Sequence, residues 1–349
     1  MLNAAIVGAT GYTGRELVGK LARHPKIQPT VLISEQRAGV PFSEVHPEFR
    51  GWLDQALEPL IPDRVAKCDV IFSALPHGIS MTKVPEFVGT GQPVIDLSGD
   101  FRLNQASLYP QWYGYEHRAP ALLASAAYGL PEINRAHIVD SSLVANPGCY
   151  PTSVLLALKP LLAENRVDPD RVLIDAKSGV SGAGRSPQLP LHFPECTENF
   201  RAYKVVSHQH LPEMEQELQK IAGAPVTLTF TPHLVPMIRG IFSTLYVELL
   251  QPMEEDDVWS LYQEHYEEEP FIRLVSAPAL PETKHVQNTN FCDLSLRVDP
   301  RSGRLIIFSV IDNLGKGAAG QAIQNMNLMM GWPETCGLEG ILNHGTDDD

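Results

Sequence analysis

The chain is short of several things that common functions need. Basic residues are few: 27 Lys and Arg stand against 41 Asp and Glu, a net charge of −14. Nothing basic offsets phosphate repulsion over a large surface, which argues against nucleic acid or an anionic membrane as partner. A few placed arginines would still serve a small anion. Cysteine is sparse and unpaired in spacing: Cys68, Cys149, Cys196, Cys292 and Cys336 include no C-x-x-C. An odd count at irregular spacing fits neither a disulfide framework nor a zinc site. No apolar run approaches a membrane span. The first residues enter a strand pattern at once, with no charged n-region or cleavage site. A reducing cytoplasm is the address these absences suggest. Internal repeats and low-complexity tracts are also lacking.

What is present is a normal globular balance, 44% hydrophobic and 19% charged over 349 residues. That length predicts two domains. The stretch that organises the chain is Asn146-Pro147-Gly148-Cys149-Tyr150-Pro151-Thr152, between a strand at 142–145 and a helix over 151–163. Pro151 suits a first helical turn. Cys149 is therefore expected just before a helix N-terminus, where the peptide dipoles favour a thiolate. Gly148 is expected to turn the backbone sharply and to keep the space beside the sulfur clear. A thiolate so placed is a candidate nucleophile.

At the N-terminus a strand over 3–7 leads into Gly8-Ala9-Thr10-Gly11-Tyr12-Thr13-Gly14 and then a helix to Leu21. This is a variant of the dinucleotide fingerprint in the required strand–turn–helix setting. Gly8 makes the turn, Gly11 admits a pyrophosphate to the helix N-terminus, and Gly14 lets helix pack on strand. The second strand, 30–33, ends at Ser34 with Arg37 close behind, where an NAD site usually carries a carboxylate. A hydroxyl and a guanidinium accept a 2′-phosphate, which favours NADP, although Glu35 is adjacent. A strand at 69–73 runs into Leu75-Pro76-His77, and one at 93–97 into Arg102. Leu75 and Pro76 fall where open α/β sheets bind ligands. Residues 104–135 lack clean periodicity and read as irregular. The first domain ends near Gly148.

The second half opens with a strand at 171–176 and a loop, 177–185, containing Ser181, Gly182 and Arg185. Its small residues suit close approach to a cofactor ring or an anion. Ser207-His208-Gln209-His210-Leu211-Pro212-Glu213 then enters a helix at 214–221. Either histidine is a candidate general base for Cys149; without a third ligand at suitable spacing, no metal is expected. From 225 onward, strands at 226–231, 241–250, 292–298 and 305–311, with a helix at 254–264, predict a mostly antiparallel sheet with one helix-covered face. The other face would pair subunits. A final helix, 312–330, is expected to return to the first domain and to bring Asn313 to the cofactor. The tail at 344–349 is expected to fray.

Six segments carry a resemblance in register: GATGYTGRELV at 8–18, SALPHG at 73–78, NPGCYPT at 146–152, HQHLPE at 208–213, TPHLVPMIRG at 231–240 and DNLGKGAAGQAIQNMNLM at 312–329. Together they are similar to the N-acetyl-γ-glutamyl-phosphate reductases of arginine biosynthesis. Those enzymes share a plan with aspartate-semialdehyde dehydrogenase and glyceraldehyde-3-phosphate dehydrogenase. The resemblance implies an α/β protein with a Rossmann-like NADP-binding domain, 1–148 plus 313–349, and an inserted α+β catalytic and oligomerisation domain, 149–312. It also implies a cytoplasmic homo-oligomer, homodimer or homotetramer.

The implied reaction is NADPH-dependent reduction of an acyl phosphate to a semialdehyde through a Cys149 thioester. His210 or His208 would carry the proton for the hemithioacetal oxygen, with a lean to His210. Arg102, Arg185 and Arg239 are candidates for the substrate's anions, in no resolved order. The alternatives are aspartate-semialdehyde dehydrogenase, a lysine-pathway aminoadipyl-phosphate reductase, a catalytically silent NADP-binding module, and a cysteine hydrolase. The nucleotide fold in front disfavours the last.

Overall fold

A computed structural model describes residues 1–338. The expected fraying at 344–349 lies outside them. The chain divides into two compact units: Met1–Pro147 together with the chain from Ala318 onward, and Gly148–Gly317.

The first unit is built on a six-stranded sheet ordered β2-β1-β3-β4-β6-β5. Its strands are β1 (Leu2–Val7), β2 (Ile27–Ile33), β3 (Val70–Ser73), β4 (Val94–Asp96), β5 (Ala127–Tyr128) and β6 (Leu143–Ala145). Every pairing is parallel. Parallel strands covered on both faces read as continuous apolar runs, and Ala4–Val7, Val70–Phe72 and Val94–Ile95 are all fully buried. The Tyr12–Leu21 helix buries Leu17, Val18 and Leu21 in one cluster with Ile323 and Met326 of the Gly320–Met329 helix. The stretch read as irregular holds β5 and a Pro131–Val139 helix. Pro131 opens that helix, but Asn134 interrupts its dihedrals, which erases the period a sequence reading relies on.

The second unit carries a seven-stranded sheet ordered β11-β12-β13-β10-β7-β9-β8. Its strands are β7 (Val172–Gly179), β8 (Arg201–Ala202), β9 (Leu228–Val235), β10 (Ile241–Glu248), β11 (Ile272–Leu274), β12 (Cys292–Val298) and β13 (Arg304–Ile311). Its pairings are antiparallel except β7 with β9 and β11 with β12. Strand β7 runs on through Lys177-Ser178-Gly179, residues expected in a loop, because β9 and β10 both pair along it. The Cys149–Ala163 helix lies on one face, where Ser153 bonds Ser243 and Ser309. The opposite face presents Leu173, Asp175 and Lys177 beside Phe242, Thr244 and Tyr246 in cross-strand register.

Candidate active site

The glycine loop is built by backbone crowding. Gly8 has φ +94°, and a Cβ there would lie 2.5 Å from the Ala74 carbonyl oxygen and 3.4 Å from the Leu75 nitrogen. A Cβ on Gly14 would run into the Gly8 carbonyl and lie 2.8 Å from Ala9 Cα. Gly11 is the N-cap of the Tyr12–Leu21 helix, and Tyr12, Thr13 and Gly14 form its first turn. No side chain caps that turn and no acidic residue stands in it, the arrangement that suits a pyrophosphate. Thr10 Oγ1 lies 3.4 Å from Ser34 Oγ. Glu35 Oε1 accepts the Leu60 N–H at 2.8 Å, which ties its carboxylate to the chain. Arg37 is exposed, with its N–H donating to the Ser34 carbonyl. The structure thus gathers the glycines, Thr10 and Ser34, with Leu75 and Pro76 following β3 beside Gly8. A glycine turn of this shape at an uncapped helix start suits a dinucleotide.

The second unit holds the candidate nucleophile, Cys149. The helix begins at Cys149, two residues earlier than the sequence predicts, with Gly148 as N-cap. Cys149 is half-buried, and a Cβ on Gly317 would lie 2.9 Å from its own Cβ. Gly148 has φ −66° and ψ 153°, an ordinary extended conformation, so the expected sharp glycine turn is absent. The steric reason holds instead: a Cβ on Gly148 would lie 2.5 Å from His210 Nε2 and 2.8 Å from two of its ring carbons. The His210 ring therefore occupies the space that a side chain before Cys149 would need.

The two histidines differ. His210 opens the helix, which spans His210–Ala222 rather than starting at Met214. His208 precedes it and is buried, ringed edge-on by Tyr150, Tyr203 and Phe230 at 5.5–5.6 Å. Burial, and then the charge of Lys204, push its pKa down to about 3. Its Nδ1 accepts the His210 N–H at 3.1 Å. His208 is a neutral acceptor holding the backbone of His210. Burial above all keeps it uncharged.

Asn313 joins three segments: its Nδ2 donates to Ser181 Oγ at 2.9 Å and its Oδ1 accepts the Gly240 N–H at 2.8 Å. Gly182 follows, with a Cβ position 3.7 Å from Asn313 Nδ2. Arg239 is engaged by buried Asp312, with Nη2 to Oδ2 at 2.9 Å and Nε within 3.2 Å of both oxygens. Asp312 also accepts the N–H groups of Asn288 and Leu314. Arg102, in the first unit, donates from Nε to the Asn146 carbonyl at 2.8 Å and from Nη2 to that of Leu97 at 2.9 Å. Arg185 stands exposed beyond the Val180–Ala183 turn. The structure gathers Cys149 with His210 and His208, and separately Ser181 and Gly182 with Asn313; Arg102 and Arg239 both bond to the protein itself.

Glu213 and Asp312 are buried carboxylates at this site that the sequence reading gives no role. Glu213 had a signal, its place three residues after His210 on one helix face; Asp312 had none, because its partner lies 73 residues away. Among the described residues no cluster of His, Cys, Asp and Glu is arranged for a metal. Among them also, no helix is long and apolar enough to cross a membrane.

Residues 3–141 match the family model described as semialdehyde dehydrogenase, NAD binding domain, and residues 149–313 that described as semialdehyde dehydrogenase, dimerisation domain. The chain is 52% identical over 340 residues to a protein of Desulforamulus reducens named N-acetyl-gamma-glutamyl-phosphate reductase, covering 97% of this chain and 98% of that one. It is 52% identical over 343 residues to one of the same name from Geobacter metallireducens, covering 98% and 99%. Among solved structures, it is similar to aspartate semialdehyde dehydrogenase II of Vibrio cholerae, with TM-score 0.72, 20% identity and coverage of 95% and 98%. Aspartate semialdehyde dehydrogenase of Candida albicans gives TM-score 0.71 at 16% identity, again covering 95% and 98%. At such identities these two establish the fold alone.

Proposed function

The chain belongs to the N-acetyl-gamma-glutamyl-phosphate reductase family, and on that premise we propose that Cys149 and His210 carry its chemistry. The reaction is the NADPH-dependent reduction of N-acetyl-γ-glutamyl phosphate to the semialdehyde, with release of phosphate, in arginine biosynthesis. The observation that carries the assignment is the His210 ring seated over Gly148, next to the sulfur-bearing residue at a helix N-terminus.

His210 accepts the Cys149 thiol proton as the sulfur attacks the acyl carbon. Phosphate leaves and a thioester remains. Gly8, Thr10, Gly11, Tyr12, Thr13, Gly14, Ser34 and Arg37, with Leu75 and Pro76, would hold NADPH, which would supply the hydride when bound. His210 protonates the hemithioacetal oxygen and takes the proton back as the C–S bond breaks, freeing aldehyde and thiolate. The positive end of the Cys149–Ala163 helix favours both the thiolate and the transient oxyanion. His208 fixes His210 and does not titrate with it. Arg185, exposed in the small-residue loop that follows β7, is the arginine that meets the phosphate group.

Two kinetic variants test this. Cys149→Ser abolishes turnover while NADPH titrates normally, and Arg185→Ala raises the acyl-phosphate KM. Substantial turnover by the serine variant would sink the covalent route.

The protein acts as a homo-oligomer, with a dimer as its unit, in the reducing cytoplasm. The family's dimerisation domain and the open sheet face support the oligomer, and five cysteines outside any disulfide support the address. On that face Leu173 is 45% and Tyr246 38% exposed, and the Phe242 and Phe308 rings lie 5.8 Å apart. Tyr246→Arg would halve the sedimenting mass; an unchanged mass would put the subunit contact elsewhere.

A further inference from the structure

We infer that Glu213 is a positioning residue, whose carboxylate fastens the nucleophile turn to the helix that carries His210. This rests on the assignment of Cys149 and His210 made above. Glu213 is fully buried, in the first turn of the His210–Ala222 helix. Its Oε1 accepts the Gly148 N–H at 2.8 Å. Gly148 is also the residue over which the His210 ring sits. Residues 210 and 213 are spaced to share one helix face, and both meet the same residue. One holds its amide, and the other fills the place of its missing side chain.

The geometry gives this bond a specific task. Gly148 is the N-cap of the Cys149–Ala163 helix, and its carbonyl accepts the Thr152 N–H at 3.0 Å. Its own N–H points away from that ladder and is the one backbone donor of this residue left for another element. Glu213 takes it. A buried backbone N–H left without an acceptor is costly, so the turn is drawn onto the His210 helix. The two reacting groups come from helices whose starts are 61 residues apart in sequence, and proximity between them decides rate.

Two substitutions separate reach from charge. Glu213→Gln keeps a carbonyl oxygen at the same length and loses the charge. Glu213→Asp keeps the charge and falls one methylene short. If the hydrogen bond is the function, E213D lowers kcat on the order of 10²-fold, the size expected for a reacting pair misplaced by about 1 Å. The NADPH KM stays unchanged, and the pH profile of Cys149 alkylation, followed by mass spectrometry, departs from wild type. E213Q retains kcat within roughly tenfold and keeps the wild-type alkylation profile.

Wild-type turnover by E213D overturns the inference, as does a loss in E213Q as deep as that in E213D. Cys149→Ser and His210→Asn, assayed alongside, keep the two levels apart. If both are inactive while E213D is normal, only the role of Glu213 fails. If either turns over normally, the assignment beneath it fails first.

Discussion

Two strand–turn–helix junctions in this chain look alike in sequence and are built on different physics. At Gly8–Gly14 the glycines answer to backbone. Gly8 needs a positive φ, and Gly14 lies where the chain passes back over Gly8 and Ala9. At Gly148 the backbone is ordinary and the glycine answers to a side chain, the His210 ring. In the first turn Gly14 is constrained locally, by Gly8 and Ala9, while Gly8 also meets the backbone of Ala74. The second is specified by a partner 62 positions along the chain. A glycine requirement does not by itself reveal which kind of constraint imposes it.

Alanine at each turn sharpens the contrast, and the largest effect should come at the second. Gly148→Ala should lower kcat on the order of 10²-fold by displacing His210, with NADPH affinity unchanged. Gly14→Ala meets backbone that cannot swing aside. It should cost about 1–3 kcal/mol of stability and weaken NADPH by roughly tenfold. Stopped-flow turnover, cofactor titration and urea unfolding read the three quantities. If G148A lost cofactor affinity while G14A kept it, the two turns would have been assigned the wrong constraints.

The smallest effect concerns the acid limb of stability. The pKa of His208 lies below its unfolded value, so the unfolded chain binds the extra proton between about pH 6.5 and pH 3. Stability is then present above pH 6.5 and is lost as pH falls, by up to about 1.4 kcal/mol per unit. In His208→Asn the difference between pH 7 and pH 5 should shrink by about 2 kcal/mol. Urea midpoints at the two pH values check this. An unchanged difference would mean that His208 is solvated in solution.

Much of the candidate site is legible in the residues. The glycine loop, Ser34 and Arg37, Cys149 at a helix start, and the His208–His210 segment all sit in short motifs whose chemistry depends on neighbours in sequence. What is not legible depends on distant partners. The choice between His208 and His210 turns on Tyr203 and Phe230 closing around the His208 ring and on the His210 ring lying against Gly148. The question that Glu35 raises about the cofactor turns on the Leu60 N–H. The arginines read as equivalent, yet Asp312 holds one and two carbonyls hold another.

The sequence by itself determined most of the element types, the nucleotide-binding sheet first and the mostly antiparallel sheet after it, and the candidate nucleophile. Hydrophobic period, turn residues and helix-start chemistry act over a few positions, so they are written locally. Tertiary structure alone decided which histidine lies against Gly148, that Asp312 holds Arg239, and which carboxylate takes the Gly148 amide. Those outcomes are set by burial and by hydrogen bonds between segments far apart in the chain, and neither exists until the sheet and its covering helices have packed.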